Sequence, residues 1–564
     1  MTSLNTVVLL ATVLAGWANA EIVYPSPNVG ENDSEFWLEL GKREIEEALE
    51  QPKLTNVAKN VILFLGDGMG ITVNTAGRIL KGQKKGNSGE EGYLVWERFP
   101  NIGLMKTYNL DKQVPDSAGT ATAYLSGVKA NFYTLGVNGK VKLDDCKASL
   151  VNNNRVKTVL DWAQDADKDT GVVTTAQVSH ATPGGLYAKS ASRKWQCDTI
   201  MKKYEGASAC KDIARQLVED EPGRNMKVIM GGGRQEMGNP KNDGEKQKCP
   251  RSDGRNLVKK WQQDREAEGE TNAYVTTTHE LRSLDVNNTD YIMGLFGDLH
   301  VPYEVDRDTS LDGTPHIKEM VEVAIKRLQR NDKGFFLLVE GGRIDHGLHY
   351  GMPKRALEEL VAFEEAVERA LEMVNLRETL IIVTADHSHV MTINGYPKRG
   401  NNILGIVETS DDVSDGLPFT TLMFTNGHGY NFTWDGHGVK RPNLTGVDTS
   451  HKDFEPLAAV PTFEGSETHG GEDVAAFALG PMAHLFHRVH EQTHVAHVMG
   501  YAACIGPYED CGRPVNIPAN VYETVKDRLR EKFKVTSSAA TNGANFLGLL
   551  LLVLILVVRT ASNC

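Results

Sequence analysis

Five short apolar runs constrain the fold of this chain more than any other feature. Residues 60–65, 171–175, 227–230, 335–339 and 379–384 are rich in β-formers and uninterrupted. A strand with one wet face alternates apolar and polar residues, whereas an uninterrupted run belongs to a strand covered on both faces. Helical patterns at 155–166, 209–219, 315–330 and 354–375 lie among the runs. The alternation predicts an α/β sandwich around a mostly parallel sheet. Residues 35–50 read as a separate amphipathic, acidic helix. Residues 396–465, rich in Gly, Asn, Thr and Pro, are too long for a structureless loop and read as an inserted surface subdomain.

Three of the runs deliver a carboxylate at the same end. The first leads to Asp67, the fourth to Glu340, and the fifth to Asp386 and His387. Ligands of open α/β sheets gather beyond the carboxyl ends of the strands. Three carboxylates in one dry place repel each other unless cations lie between them. After Glu340 the chain reaches Asp345 and His349, four apart and therefore on one face of a helical turn. Their oxygen and nitrogen suit zinc. His469, in the Gly-rich segment Thr468-His-Gly-Gly-Glu-Asp473, offers a third ligand. Taken singly, each Asp is an N-cap and His469 a surface residue; the joint pattern favours metal.

Ser117 follows Pro115-Asp116 and precedes an Ala/Thr-rich helical run. It therefore sits at a helix N-terminus, where free N–H groups and the dipole favour an anion. The residues alone leave it either a nucleophile or a plain N-cap. Neither a G-x-S-x-G elbow nor a P-loop occurs.

A net charge of −13 argues against a nucleic-acid partner, which needs clustered Lys and Arg. Residues 7–16 are apolar and precede Ala18-Asn19-Ala20, so residues 1–20 read as a signal peptide. The aliphatic run 546–558 falls short of the about 20 residues that a spanning helix needs. With the small polar stretch 537–543 before it, it reads as a GPI-attachment signal, with Ser537 or Ser538 as the acceptor. A short transmembrane anchor is the alternative. Removing the tail takes Cys564 and leaves six of the seven cysteines. Those cysteines, and sequons at Asn32, Asn287, Asn431 and Asn443, agree with secretion.

Five motifs, in this order, resemble the eukaryotic membrane-anchored alkaline phosphatases. They are Phe64-Leu-Gly-Asp67-Gly-Met-Gly70, Val114-Pro-Asp-Ser117, Val339-Glu340-Gly-Gly-Arg-Ile-Asp345-His346-Gly, Thr384-Ala-Asp386-His387-Ser-His389 and Thr468-His469-Gly-Gly-Glu-Asp473. The resemblance implies a three-layer α/β sandwich with a large mostly parallel central sheet and a crown-like insert. Its expected parts are a signal peptide 1–20, an arm 21–54, a catalytic domain 55–395 and 466–515, the insert 396–465, a spacer 516–545 and a removed tail 546–564. The implied reaction is hydrolysis of phosphate monoesters through a phosphoserine. The implied setting is a homodimer, GPI-anchored on the extracellular face of the plasma membrane.

The resemblance also implies two Zn2+ and one Mg2+ per subunit. Asp345, His349 and His469 would hold one zinc; Asp67, Asp386 and His387 would hold the second. Asp67, Glu340 and Thr182 would take the magnesium. Ser117 would be the nucleophile and Arg193 the phosphate clamp, with His180 and His346 standing behind the ligands. Cys146–Cys210 and Cys504–Cys511 match the family's disulfides, and Cys197–Cys249 would be an extra one. Vertebrate relatives have a further calcium-type site with a Phe-Glu pair. Here that stretch is Phe296-Gly297-Asp298, with Asp312 retained, which leaves a Ca2+ site open. Two rival readings are a sulfatase or phosphodiesterase on the same scaffold and a catalytically dead binding protein. Sulfatases need a modified Cys or Ser in another motif, and a dead relative would lack ligands, none of which is missing.

Overall fold

The computed structural model describes residues 31–51, 53–241, 249–407, 413–462 and 465–510. Its central sheet holds β1 (Asn60–Gly66), β2 (Asn101–Lys106), β3 (Asp169–Gln177), β4 (Val228–Gly232) and β5 (Asn272–Val275). It continues with β6 (Tyr291–Leu295), β7 (Phe335–Gly341), β8 (Thr379–Ala385), β9 (Val474–Leu479) and β10 (Val489–Glu491). The spatial order is β10-β2-β9-β8-β1-β7-β3-β4-β6-β5. Only β9 runs against the rest, antiparallel to both β8 and β2.

The five apolar runs became β1, β3, β4, β7 and β8. All five lie side by side in the order β8-β1-β7-β3-β4, and every residue of β1, β7 and β8 is buried. Helices Ile71–Lys84, Ile317–Leu328 and Pro353–Met373 pack together and onto the sheet. Helices Ser117–Ser126, Val159–Asp165 and His494–Ala503 form a second packed group. Ile317–Leu328 buries Ile317, Met320, Val321, Ala324, Ile325 and Leu328, the stripe expected of a helix facing a core.

One compact unit runs to Glu509 and includes residues 396–465. Within the described part of that stretch, Leu422–Asn426 pairs with Met391–Ile393 and Ala458–Val460, and Thr433–Trp434 with Val439–Lys440. The acidic helix spans Ser34–Glu50.

Cys146 is joined to Cys210 and Cys197 to Cys249. Cys504 is disulfide-bonded, and Cys511 lies outside the described residues. So do the signal peptide, Ser537, Ser538, Cys564 and the aliphatic tail. Asn32, Asn287, Asn431 and Asn443 are all exposed.

Candidate active site

Parallel register brings the predicted carboxylates together. Leu65 pairs with Glu340 and Gly66 with Ala385, so Asp67 and Asp386 both leave their strands beside Glu340. Neighbouring strands lie about 4.8 Å apart, within reach of shared ions. The turn after β1 needs glycine. Gly68 has φ +69°, and a Cβ there would sit 2.5 Å from the His389 ring. Asp345 and His349 lie on the helix Arg343–His349 that follows β7. His469 arrives from a distant part of the chain because His469–Gly470 pairs antiparallel with Ser388–His389, just beyond β8.

The helix Ser117–Ser126 excludes the plain N-cap for Ser117. Its N-cap is Asp116, whose carboxylate accepts from the N–H groups of Ala118 and Gly119. Ser117 Oγ has no capping duty and lies 3.1 Å from His387 Nε2 and 3.5 Å from Asp67 Oδ1. Asp116 thus takes two of the N–H groups at the helix terminus. Arg193 lies beside it. Its Nη1 donates to Asp116 Oδ2 at 3.1 Å and its Nη2 lies 3.3 Å from His180 Nε2. One carboxylate thus fixes both the helix that carries Ser117 and the guanidinium beside it.

The histidines share one arrangement. Nδ1 of His349, His387 and His469 donates to the backbone carbonyl of Glu467, Ser388 and Pro115 respectively. A carbonyl only accepts, so each Nε2 is left with its lone pair. Those of His349 and His469 face each other at 3.0 Å, and each lies within 3.5 Å of Asp345 Oδ1. Two facing lone pairs repel each other, and a cation between them would relieve the repulsion. Two Zn–N bonds at a tetrahedral angle span about 3.3 Å, which fits. Asp67, Asp386 and His387 form a second group with ligand atoms within 4.8 Å of one another. Asp67 and Glu340 form a third, with His180. Beside it three buried oxygens have no hydrogen-bond partner: Asp67 Oδ2, Glu340 Oε1 and Thr182 Oγ1. Those three oxygens suit a hard ion such as magnesium, and His180, whose Nδ1 also has no hydrogen-bond partner, adjoins them.

Electrostatics describe the same strain. Burial, then repulsion from Asp345, Asp386 and Glu340, raises the Asp67 carboxyl well above its ordinary range. Burial pushes Glu340 up to about 7, with Asp386 and Asp345 adding to it. Burial brings His349 down to about 4, aided by His389 and His469, so it stays neutral and able to ligate.

His180, His346 and Arg343 surround the site. His346 Nδ1 accepts from Arg343 Nη1 at 3.0 Å. Three further residues were not singled out from the sequence. His389 Nε2 lies 2.7 Å from Asp345 Oδ1 and its Nδ1 faces the Glu467 carboxylate. Both ring nitrogens therefore donate, and His389 clamps Asp345 where a ligand would need a lone pair. Burial disfavours its charge, yet Glu467 and Asp345 lift its pKa to about 10. His300 packs its ring 4.2 Å from that of His346 and 5.4 Å from that of His180. At the calcium-type stretch, Asp298 pairs with the Arg234 guanidinium and Asp312 is exposed. Neither belongs to a metal-capable group among the described residues.

The comparisons with known proteins point to one family. The profile of the family described as alkaline phosphatase matches residues 58–505. The chain is 47% identical over 506 residues to the tissue-nonspecific alkaline phosphatase of Gallus gallus, covering 88% of this chain and 94% of that one. It is 42% identical over 508 residues to the membrane-bound alkaline phosphatase of Bombyx mori, covering 88% and 89%. The crystal structure of the Thermus thermophilus alkaline phosphatase matches the fold with a TM-score of 0.55 at 23% identity, covering 80% of this chain and 93% of that one. On its sequence and its fold, the chain belongs to the alkaline phosphatase family and is a phosphoric monoester hydrolase.

Proposed function

We propose that the chain hydrolyses phosphate monoesters through a phosphoserine on Ser117, at a site for two zinc ions and one magnesium. The observation that carries this reading is the freed Ser117 Oγ, 3.1 Å from His387 Nε2 among four overlapping groups of metal-capable side chains. Asp345, His349 and His469 would hold one zinc, Asp67, Asp386 and His387 the other, and Asp67, Glu340 and Thr182 the magnesium. When bound, the zinc ions supply Lewis-acid stabilisation to the oxygens entering and leaving phosphorus.

The chain's own groups do the rest. Asp116 holds Arg193 so that its planar fork can take two phosphate oxygens. Arg193 thereby orients the phosphorus toward Ser117 Oγ and stabilises the equatorial oxygens in the transition state. Ser117 attacks, the alcohol leaves on the opposite side, and water then cleaves the phosphoserine. Sulfate-ester or phosphodiester specificity finds no support in an Asp116-Ser117 motif set in a metal cluster.

Thr182→Ala should weaken magnesium binding about tenfold and leave both zinc ions in place. Thr182→Ser should behave like the parent, because it keeps the oxygen. Metal analysis after gel filtration distinguishes the two. Equal magnesium retention in Thr182→Ala and the parent would remove Thr182 from the site.

The reading extends to a GPI-anchored homodimer at the extracellular face of the plasma membrane. No described helix is long and apolar enough to cross a membrane. The helix Ser34–Glu50 leaves Trp37, Leu38, Ile45 and Leu49 exposed, which supports a partner subunit against it. A phosphatidylinositol-specific phospholipase should release the activity from membranes. Release by detergent alone would favour a transmembrane helix.

A further inference from the structure

Glu340 carries two carboxylate oxygens, and the fold treats them differently. Oε1 is buried with no hydrogen-bond partner. Oε2 accepts from the Thr174 hydroxyl. Thr174 is the register partner of Glu340 across β3 and β7, so the contact comes from the strand pairing itself. β7 lies between β1 and β3. Glu340 is therefore held from the β3 side, while Asp67 leaves β1 on the other.

The surroundings fix the direction of that hydrogen bond. A threonine hydroxyl has one proton and two lone pairs. The Ala176 N–H donates to Thr174 Oγ1 at 2.8 Å, so the hydroxyl proton is left for Glu340. Branching at Cβ makes the Thr174 side chain stiff. Its methyl rests over Gly231 of β4, where a Cβ would lie 2.7 Å from Cγ2. With the methyl lodged there, the hydroxyl stays turned toward Glu340. Gly342 leaves the carboxylate its room on another side: a Cβ there would stand 3.3 Å from Glu340 Oε2 and 2.8 Å from the Ala176 Cβ. Thr174 and Glu340 are fully buried, which keeps bulk solvent from competing for the bond. Oε2 is thus engaged, and Oε1 is the oxygen left for an ion. Magnesium demands near-ideal octahedral geometry, which a chelating carboxylate distorts; calcium takes about 6–8 oxygens in a flexible shell and accepts a carboxylate through both.

We propose that Thr174 is a positioning residue that keeps Glu340 a one-oxygen ligand and so makes the site prefer magnesium to calcium. The inference rests on the assignment of Glu340 to magnesium under the proposed function. Hydrogen bonds to a ligating carboxylate are the usual means by which a protein orients it.

The test uses the full-length zinc-loaded enzyme, depleted of magnesium and then titrated by calorimetry with Mg2+ or Ca2+ alone, with zinc content measured throughout. Thr174→Val keeps the shape and removes the hydroxyl. It should bind magnesium at least about tenfold more weakly and calcium as tightly as the parent or more so. Thr174→Ser keeps the donor and should restore the parent's preference. Zinc content should be unchanged in both. A parent-like ratio of the two affinities in Thr174→Val overturns the proposal. So does an equal loss of both ions, which would mark Thr174 as structural only. Glu340→Gln tests the underlying assignment separately. It should lose magnesium binding, and parent-like magnesium affinity there would overturn the assignment of Glu340 and this inference with it. Should Thr174→Val lose zinc, Thr174→Cys, whose thiol donates only weakly, carries the test with the same outcomes.

Discussion

Ser117→Ala should lower kcat by at least about a thousandfold while leaving the fold and the metal content unchanged. The substitution is mild for the scaffold. The N-cap hydrogen bonds belong to Asp116, so the helix Ser117–Ser126 keeps its cap, and the site loses only one buried oxygen. Arg193 also remains pinned to Asp116, so phosphate should still bind. The covalent step alone disappears. Labelled phosphate should be trapped on Ser117 in the parent and nowhere in the variant. A chiral phosphate ester should give net retention at phosphorus, since two in-line displacements invert twice. Inversion would sink the serine mechanism even in an efficient phosphatase, because it would mean direct attack by water.

The central sheet was legible because its inner strands obey a single rule. β1, β7 and β8 are buried along their whole length, so their runs carry no polar interruption. The outer strands escaped for physical reasons. β2 alternates between buried and partly exposed residues and reads as a weak amphipathic segment. β9, Val-Ala-Ala-Phe-Ala-Leu, is rich in alanine, whose intrinsic preference is for helix, and only its pairing with β8 and β2 makes it a strand. The helix boundaries shifted by a few residues where caps, and not periodicity, set the ends. Asp212 caps Ile213–Glu219 with its side chain, four residues inside the expected start at 209.

In the site, residues at strand ends could be read from local pattern, since a strand that stops at a carboxylate announces it. Asp67, Glu340 and Asp386 are of this kind. Arg193 and Thr182 carry no such signal and came only from the family resemblance. His389 and Glu467 were missed because their roles come from pairing across 78 residues of chain. His389 did hold one clue, its i, i+2 spacing from His387. On a strand that spacing puts both side chains on one face, which is compatible with both entering one site. The bend after Asp386 brings their ring centroids within 5.6 Å of each other.

His349→Ala should cost one zinc ion and nearly all turnover, whereas His346→Ala, three residues earlier on the same helix, should keep both zinc ions. The two imidazoles differ in where their lone pairs go. His349 turns Nε2 toward His469 Nε2 and Asp345 Oδ1, with Nδ1 spent on the Glu467 carbonyl. His346 spends Nδ1 on Arg343 and packs its ring against that of His300. Three protein ligands leave no redundancy, because a zinc site of this kind keeps its fourth position for substrate. His389 cannot take the vacated place, since both of its nitrogens donate to carboxylates. Its loss of lone pairs is also why His389→Ala should loosen Asp345 and weaken zinc by about 10–100-fold without removing a ligand. Added imidazole should restore part of the activity of His349→Ala by filling the cavity left by the ring, and none of that of Ser117→Ala. Full zinc content and full turnover in His349→Ala would refute the ligand assignment. Loss of zinc in His346→Ala equal to that in His349→Ala would show that the helix Arg343–His349 acts as a structural unit and that its individual lone pairs do not decide the binding.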